Sequence, residues 1–388
     1  MKLNDYRQPD EIALSLSQRL QQVICDEISS HGTIPFDRFM ELALYAPGLG
    51  YYAAGSHKFG ASGDFITAPE LSPLFSRCLA NQCQQILSET GGSILEFGAG
   101  SGVMAADILK QLQQLQSLPE KYFILDLSPD LKQRQLETLQ ARVPELLDRV
   151  EWLNQMPKKF DGVVVANEVI DAMPVSVFKT GTDQVFEQYV DCVENNLELT
   201  WRPASLQLQQ AVENIQTHNG RLPENYLSEV NARVDGWLAG LSECMGQGAV
   251  LLIDYGYTAK EYYMAERNMG TLLCHYQHQA HDDPLMLVGL QDITASVDFS
   301  DVASKARVQG FSIAGYTTQA HFLMANGIEQ MILETSPEDS ENFYRVSQAV
   351  KRLMMPSEMG ERFKVLGLQK NMSSALSGFS VRNFQDRL

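Results

Sequence analysis

A glycine-rich turn between an apolar strand and a helix constrains the fold of this chain more than any other feature. The strand and turn read ILEFGAGSG over residues 94–102, and helical periodicity continues to Leu115. Gly98, Gly100 and Gly102 allow the backbone to turn sharply and to approach a bound molecule, because glycine has no Cβ. The amides at the start of the helix favour an anionic group. The segment therefore predicts a strand, a ligand-binding turn and a helix in succession.

Strands and helices alternate from residue 93 onwards. The predicted strands are Ser93–Phe97, Tyr122–Leu127, Val150–Leu153, Gly162–Ala166 and Ala249–Asp254. Such alternation implies right-handed crossovers and a mainly parallel sheet. We therefore predict a doubly wound, Rossmann-like α/β fold, in which ligands bind beyond the carboxyl ends of the strands.

The residues before the glycine turn form a separate region. Residues 1–90 are predicted as an N-terminal helical region, with a helix over 9–30 and a loop over 62–70 that covers the ligand. Thr67 is expected to cap a short helix and Pro69 to lie in its first turn.

The α/β core domain is predicted to extend over residues 91–388. An insertion at about 187–240, with a hairpin and helices, is interpreted as a lid or acceptor-binding element. Residues 310–327 are expected to supply a late strand pair, and residues 335–355 to belong to the C-terminal helical elements.

The balance of charge excludes several kinds of partner. Acidic residues outnumber basic ones by 48 to 30, which gives a formal charge of −18. This field repels nucleic acid and anionic membranes, so neither is expected as a partner. Residues 1–22 resemble neither a secretory signal nor a transit peptide, and we expect a cytoplasmic protein. The six cysteines include no CxxC pair and are expected to be reduced, mostly buried thiols.

The spacing of the glycines indicates which cofactor fits the turn. A dinucleotide fingerprint needs a third glycine where this chain has Val103. An acid, Glu96, instead precedes the turn, and a carboxylate there suits the ammonium and sulfonium of S-adenosyl-L-methionine. Asp126 ends the next strand and is predicted to accept hydrogen bonds from the ribose hydroxyls. The alternative for Asp126 is a helix-capping or surface acid.

Three polar residues follow the buried strand that ends at Ala166. Glu168 and Asp171 are three apart, so in a turn or helix start they share a face and are able to hold a guanidinium. Asn167 is predicted to contact the cofactor. The alternative is that Asn167 and Asp171 cap the next turn, and Glu168 is therefore the main catalytic candidate.

Two further segments carry polar residues near predicted strand ends. Residues 254–257 (DYGY) are equally compatible with a site role and with turn chemistry. His281 is predicted as a catalytic residue of the acceptor site. Because His275 and His278 would face opposite ways on a strand over 274–281, no metal site is expected.

Together these segments resemble the MidA-type methyltransferases, a family that includes the mitochondrial complex I assembly arginine methyltransferase. The resemblance covers roughly residues 30–330. It is carried by GDFITAPE at 63–70, LEFGAGSG at 95–102, NEVIDAMP at 167–174, DYG at 254–256, HD at 281–282 and DITA at 292–295.

The resemblance implies a class I methyltransferase sheet of seven strands with a reversed strand near its edge. It implies S-adenosyl-L-methionine as cofactor, with contacts from Gly63, Asp64, Thr67 and Pro69. For the eukaryotic branch it implies symmetric dimethylation of an arginine in a complex I subunit. The family often has Glu where this chain has Asp126, a difference that preserves the chemistry.

The combined expectation is a methyltransferase that transfers a methyl group in line to a nitrogen of a protein arginine, which is a cationic side chain. The negative charge of the chain would attract a cationic partner, but solubility is the preferred explanation of that charge. The alternatives are a cofactor-binding assembly protein with little catalysis and a small-molecule methyltransferase. A nicotinamide oxidoreductase is disfavoured because Val103 breaks the fingerprint. The sequence leaves open the acceptor, the number of methyl groups and the oligomeric state, a dimer included.

Overall fold

The chain forms two compact units, each built from three stretches. The structure, a computed structural model, describes residues 9–53, 67–126, 128–334 and 340–388. The unit that we call the core unit comprises Ile66–Ile170, Asp235–Gly256 and Phe299–Leu388. The unit that we call the accessory unit comprises Met1–Phe65, Asp171–Val234 and Tyr257–Asp298. The predicted boundary at residue 90, with its insertion at about 187–240, stays a prediction.

The described strands range from two residues in β1 to thirteen in β10. They are β1 (Ile34–Pro35), β2 (Ser93–Phe97), β3 (Tyr122–Leu125), β4 (Val150–Leu153), β5 (Phe160–Asn167), β6 (Ser176–Thr180), β7 (Val185–Val193), β8 (Asn196–Pro203), β9 (Leu227–Val230), β10 (Met245–Tyr257), β11 (Leu273–Tyr276), β12 (Gln279–His281), β13 (Asp292–Thr294), β14 (Val297–Asp298), β15 (Ser312–Thr318) and β16 (Phe363–Lys370).

The helices range from single turns to six turns. They are α1 (Glu11–His31), α2 (Phe36–Tyr45), α3 (Ala68–Leu71), α4 (Pro73–Thr90), α5 (Val103–Gln114), α6 (Pro129–Arg142), α7 (Leu206–Asn219), α8 (Arg233–Cys244), α9 (Ala259–Tyr262), α10 (Phe299–Val308), α11 (Gln319–Ala325), α12 (Ile328–Leu333), α13 (Ser340–Met354) and α14 (Met359–Arg362). Within the described ranges, no helix combines the length and the apolar character that a membrane crossing requires.

Among the described residues, seven strands of the core unit lie in one sheet in the order β15-β16-β10-β5-β2-β3-β4. The five strands from β10 to β4 are parallel, whereas β16 is antiparallel to both of its neighbours. The prediction of a mainly parallel, doubly wound sheet with one reversed strand near its edge is therefore confirmed.

The central strands are apolar along their length because helices cover both faces of a parallel sheet. Val163, Val164 and Val165 of β5 are all fully buried. The register then places the strand ends together, since Phe97 of β2 is level with Leu125 of β3 and with Ala166 of β5. The residues that follow these three strands consequently leave the sheet at one edge.

The strands of the accessory unit form antiparallel sheets. One sheet has the order β1-β7-β6-β9 with β8 paired to β7, and a second has the order β12-β11-β13. The predicted hairpin is β7–β8, whose turn residues Glu194 and Asn195 have φ values of 49° and 65°. Two left-handed residues match the twist of a two-residue hairpin.

Three predictions about local structure are wrong. Residues 310–327 form the strand β15 followed by the helix α11, because the Thr318 side chain accepts a hydrogen bond from the His321 amide and so caps a helix. Residues 274–281 form the hairpin β11–β12, since Gln277 and His278 adopt left-handed conformations.

The third wrong prediction concerns the cysteines. Cys25 of α1 and Cys192 of β7 form a disulfide bond, with their Cα atoms 5.5 Å apart. Helix α1 packs beside β7, which brings together two residues that are 167 positions apart in the chain. The other four cysteines, Cys78, Cys83, Cys244 and Cys274, are buried free thiols as predicted.

We expect the disulfide bond to stabilise the accessory unit by about 2 to 4 kcal/mol, because it closes a long loop in the unfolded chain. A reductant should therefore lower the melting temperature of the oxidised protein. The double variant Cys25→Ala/Cys192→Ala already lacks the bond and should melt at the same temperature with and without reductant. Complete alkylation of all six cysteines in the denatured, unreduced protein would contradict the bond.

Candidate functional site

The glycine turn joins β2 to α5 in a left-handed conformation that favours glycine at three positions. Gly98, Gly100 and Gly102 have φ values of 62°, 54° and 81°. A Cβ on Gly102 would lie 3.0 Å from the Cα of Gln135, so this glycine also permits close packing. A Cβ on Gly100 would meet no described atom within 4 Å. The turn therefore presents its backbone to open space at Gly100.

Glu96, the last acid before the turn, is completely buried in β2. Its Oε2 atom accepts a hydrogen bond from the Tyr122 hydroxyl at 2.7 Å. Its Oε1 atom has no hydrogen-bond partner among the described residues. Burial raises the pKa of Glu96 to about 7; Tyr122 opposes this change, and the charge of Asp126 adds to it.

Asp126 follows β3, and both of its carboxylate oxygens accept hydrogen bonds. The Ser128 amide donates to Oδ1 at 3.1 Å, and the Gln135 side chain donates to Oδ2 at 2.8 Å. The Ser128 side chain, not Asp126, caps α6, since its oxygen accepts from the Leu131 amide. The helix-capping alternative for Asp126 is therefore not what the structure has.

Short helix α3 contacts the glycine turn through Glu70, a residue that is absent from the predicted site. Thr67 precedes α3 and Pro69 lies in its first turn, as predicted, although the Thr67 side chain makes no capping hydrogen bond. The Ser101 hydroxyl donates a hydrogen bond to Glu70. The predicted cofactor residues Gly63 and Asp64 lie outside the described residues.

Asn167 ends β5, and Glu168 follows it at the same edge of the sheet. Glu168 has a φ of 54°, an uncommon conformation for a residue with a side chain. The Asn167 side-chain amide donates to Glu168 Oε1 at 3.1 Å, whereas Asn167 Oδ1 is buried without a partner among the described residues. Backbone strain of this kind concentrates at functional sites.

Asp254, at the corresponding position of β10, supports this strained turn. Its two oxygens accept from the amides of Ile170 at 3.1 Å and Tyr255 at 2.9 Å. The Glu168 amide in turn donates to the carbonyl of Ile253 at 2.9 Å. Of the two interpretations that the sequence leaves open for residues 254–257, these contacts favour turn chemistry.

The other predicted catalytic residues belong to the accessory unit. Asp171 is buried, and its carbonyl accepts from the Ala295 amide at 2.9 Å. Asp292 accepts a hydrogen bond from the Tyr52 hydroxyl at 2.9 Å, and the charges of Asp292 and Asp171 both raise the Tyr52 pKa, which burial raises most. The structure thus brings Asp171 near Asp292 and Tyr52.

His281 ends β12 and is also buried. Its Nδ1 atom accepts from the Asp283 amide at 3.2 Å, and burial lowers its pKa. A neutral ring that accepts at Nδ1 carries its proton at the other nitrogen. His281 is therefore arranged as a hydrogen-bond donor rather than as a cation.

Known proteins provide an independent comparison. Residues 78–317 match the model of a family described as S-adenosyl-L-methionine-dependent methyltransferases. The chain is 39% identical to a COG1565 superfamily member from Burkholderia thailandensis whose crystal structure contains S-adenosyl-homocysteine. The alignment covers 98% of this chain and 100% of the other, with a TM-score of 0.94.

Relatives of known name agree with this match. The chain is 28% identical to the mitochondrial protein arginine methyltransferase NDUFAF7 of Danio rerio, over 96% of this chain and 94% of the relative. It is 27% identical to the NDUFAF7 of Homo sapiens, over 88% and 81% respectively. The chain belongs to this family of S-adenosyl-L-methionine-dependent methyltransferases, and S-adenosyl-L-methionine is its cofactor.

Proposed function

We propose that this enzyme transfers the methyl group of S-adenosyl-L-methionine to a guanidinium nitrogen of an arginine in a protein substrate. The observation that carries the proposal is the carboxylate of Glu168, held by Asn167 on a strained turn at the carboxyl end of β5. The names of the relatives, which are protein arginine methyltransferases, support the same substrate class.

We assign the cofactor to the edge where β2, β3 and β5 end. Gly98, Gly100 and Gly102 shape the turn, and Gly100 borders open space that a side chain at this position would enter. The buried Oε1 of Glu96 and Oδ1 of Asn167, which lack partners among the described residues, suit the donors of the methionine part. Asp126 suits the ribose hydroxyls. The residues thus fit the cofactor, which supplies an electrophilic methyl group when bound.

Thr67 and Pro69 complete the proposed cofactor contacts, as do Gly63 and Asp64 of the segment outside the described residues. The hydrogen bond from Ser101 to Glu70 connects α3 to the glycine turn. We propose that residues 62–70 cover the bound cofactor and help to exclude water.

Glu168 acts on the acceptor. A guanidinium is a poor nucleophile because its charge is delocalised and it stays protonated, with a pKa above about 12. A carboxylate that accepts two of its N–H groups localises the positive charge on those nitrogens and orients the remaining one. Holding the acceptor in this way converts the reaction into an oriented step within the complex. The attacking nitrogen displaces S-adenosyl-homocysteine from the methyl group and loses one proton during or after the transfer.

Asp171 and His281 are proposed as acceptor-site residues. Asp171 stands with Asp292 beside Tyr52, an arrangement that attracts a cation. His281, with its proton on the nitrogen that Asp283 does not contact, is suited to donate a hydrogen bond. The charge of −18 also favours a cationic protein segment over nucleic acid.

The cellular location also remains a proposal. We propose the cytoplasm, in contrast to the mitochondrial relatives. The disulfide bond is uncommon for that compartment. Alkylation of the two cysteines in intact cells, before lysis, distinguishes a reduced cytoplasmic form from an oxidised one.

Gly100→Val should abolish binding of S-adenosyl-homocysteine in calorimetric titration. Valine fits poorly at a φ of 54°, and its side chain would enter the open space beside the turn. Gly310→Val is a matched control, because Gly310 of the same unit has a φ of 86° and equally open surroundings. Equal loss of binding in both variants would show an effect of strain alone and would remove the turn from the site.

Glu168→Gln should lower the rate of methyl transfer by about 100-fold or more, since it removes the negative charge that localises the positive charge of the guanidinium. The measurement uses S-adenosyl-L-methionine with a labelled methyl group and an extract of cells that lack the enzyme, followed by identification of methylarginine after hydrolysis. Affinity for S-adenosyl-homocysteine should change little. The control, Glu151→Gln, alters an exposed acid of β4.

Label in an amino acid other than arginine would overturn the proposed acceptor. Unchanged transfer by Glu168→Gln would remove this residue from the reaction, and the acceptor assignment would then rest on the named relatives alone.

The affinity for S-adenosyl-homocysteine should increase as the pH rises through about 7. The Glu96 carboxyl has its pKa raised to that value and attracts the ligand's ammonium group only when ionised. The ionised fraction increases about ten-fold from one pH unit below the pKa to one unit above it. Binding near pH 7 should therefore release a proton, which titrations in buffers of different ionisation enthalpy measure.

Glu96→Gln provides the control, because it cannot ionise. Its affinity should be nearly independent of pH over the same range, and its binding should release no proton. A wild-type affinity that is equally flat would contradict the role assigned to Glu96.

A further inference from the structure

Gln135 is a polar residue on the buried face of α6. It lies one turn from Leu131 and one turn from Leu139, which are also buried. The exposed fraction of Gln135 is 0%. An amide in such a position costs free energy unless its hydrogen-bonding groups have partners.

The side chain of Gln135 makes three hydrogen bonds with described residues of the core unit. Its Nε2 atom donates to Asp126 Oδ2 at 2.8 Å and to the Gly100 carbonyl at 3.1 Å. Its Oε1 atom accepts from Trp152 Nε1 at 2.9 Å. Both N–H groups and the oxygen are therefore used.

Trp152 determines the orientation of this amide. An indole N–H is only a donor, so the end of the amide that faces it must be the oxygen. The two N–H groups then point towards Gly100 and Asp126. Trp152 lies in β4, so the orientation is set from a strand that carries none of the proposed cofactor residues.

The network connects two parts of the proposed cofactor site that are distant in sequence. Gly100 belongs to the turn between β2 and α5, and Asp126 follows β3. The close approach of Gly102 to the Gln135 backbone holds α6 against the same turn. A single side chain therefore sets the spacing between the glycine turn and the carboxylate.

We propose that Gln135 is a positioning residue for the cofactor, which fixes the Asp126 carboxylate against the glycine turn for recognition of the ribose, and that Trp152 acts through Gln135. This inference rests on the proposed role of Asp126. A carboxylate that is held before binding loses less conformational freedom when the ligand arrives, so its contacts contribute more to affinity.

Two ligands test the inference by calorimetric titration, namely S-adenosyl-homocysteine and its 2′-deoxy analogue. The wild-type enzyme should bind the ribose form more tightly. Gln135→Leu should weaken binding of S-adenosyl-homocysteine by about 10-fold to 100-fold, as expected for the loss of two hydrogen bonds. It should weaken binding of the 2′-deoxy analogue less, so that the preference for ribose is largely lost.

The matched control is Gln133→Leu, the same change on the exposed face of α6. The Gln133 side chain donates a hydrogen bond to Glu137 at 2.9 Å. The control variant should alter neither affinity. Gln135→Glu keeps the shape and the acceptor for Trp152 but has no N–H groups. It should lose at least as much affinity as Gln135→Leu, because it lacks the donors and places a second carboxylate beside Asp126.

Trp152→Phe should weaken binding of S-adenosyl-homocysteine by about 3-fold to 10-fold, because the amide orientation is no longer set. If Trp152 acts through Gln135, the same change should have no further effect in the Gln135→Leu background. Additive losses would overturn the role of Trp152.

The outcomes separate this inference from the function on which it rests. A wild-type enzyme without preference for ribose would refute the contact proposed for Asp126. With that preference present, an unchanged preference in Gln135→Leu would overturn the positioning role, whether or not the overall affinity fell, since a general loss of stability weakens both ligands equally.

Discussion

The parallel register of β2 between β3 and β5 is the constraint on which the proposed site depends. Because Phe97 is level with both Leu125 and Ala166, the glycine turn, Asp126 and Asn167 emerge side by side. A shift of one residue in either pairing would turn every side chain of a strand to the other face of the sheet. Glycines at the opposite ends of these strands maintain the register: a Cβ on Gly162 would lie 2.0 Å from the Ser93 carbonyl oxygen.

This arrangement places unfavourable groups where the chemistry is proposed. The Glu96 carboxyl is completely buried, and Glu168 adopts a left-handed backbone conformation. Each costs free energy that the surrounding sheet must compensate. Perturbed acids and strained residues are concentrated at functional sites, so their presence at one edge agrees with the assignment of that edge to the cofactor.

Much of the proposed site could be predicted because its determinants are local in sequence. The glycine spacing and the acids after apolar strands are visible in short segments, and they led to Glu96, Asp126 and Glu168. The disulfide bond could not be predicted in this way, since its cysteines are 167 residues apart and only the packing of α1 on β7 brings them together. Gln135 left a weaker signal, namely a polar residue in an otherwise apolar helical stripe. The error over residues 310–327 shows that a capping threonine carried more information than the flanking glycines.

The bond between Cys25 and Cys192 makes a covalent ring of the chain between them. Strands β2, β3, β4 and β5 all lie inside this ring. In the oxidised protein, a protease that cuts one peptide bond within it opens the ring without releasing a fragment. During synthesis the ring cannot close until Cys192 has left the ribosome, by which point the segments of these four strands have already emerged. The four strands at the β4 end of the core sheet are therefore free to begin pairing before the chain around them is covalently closed.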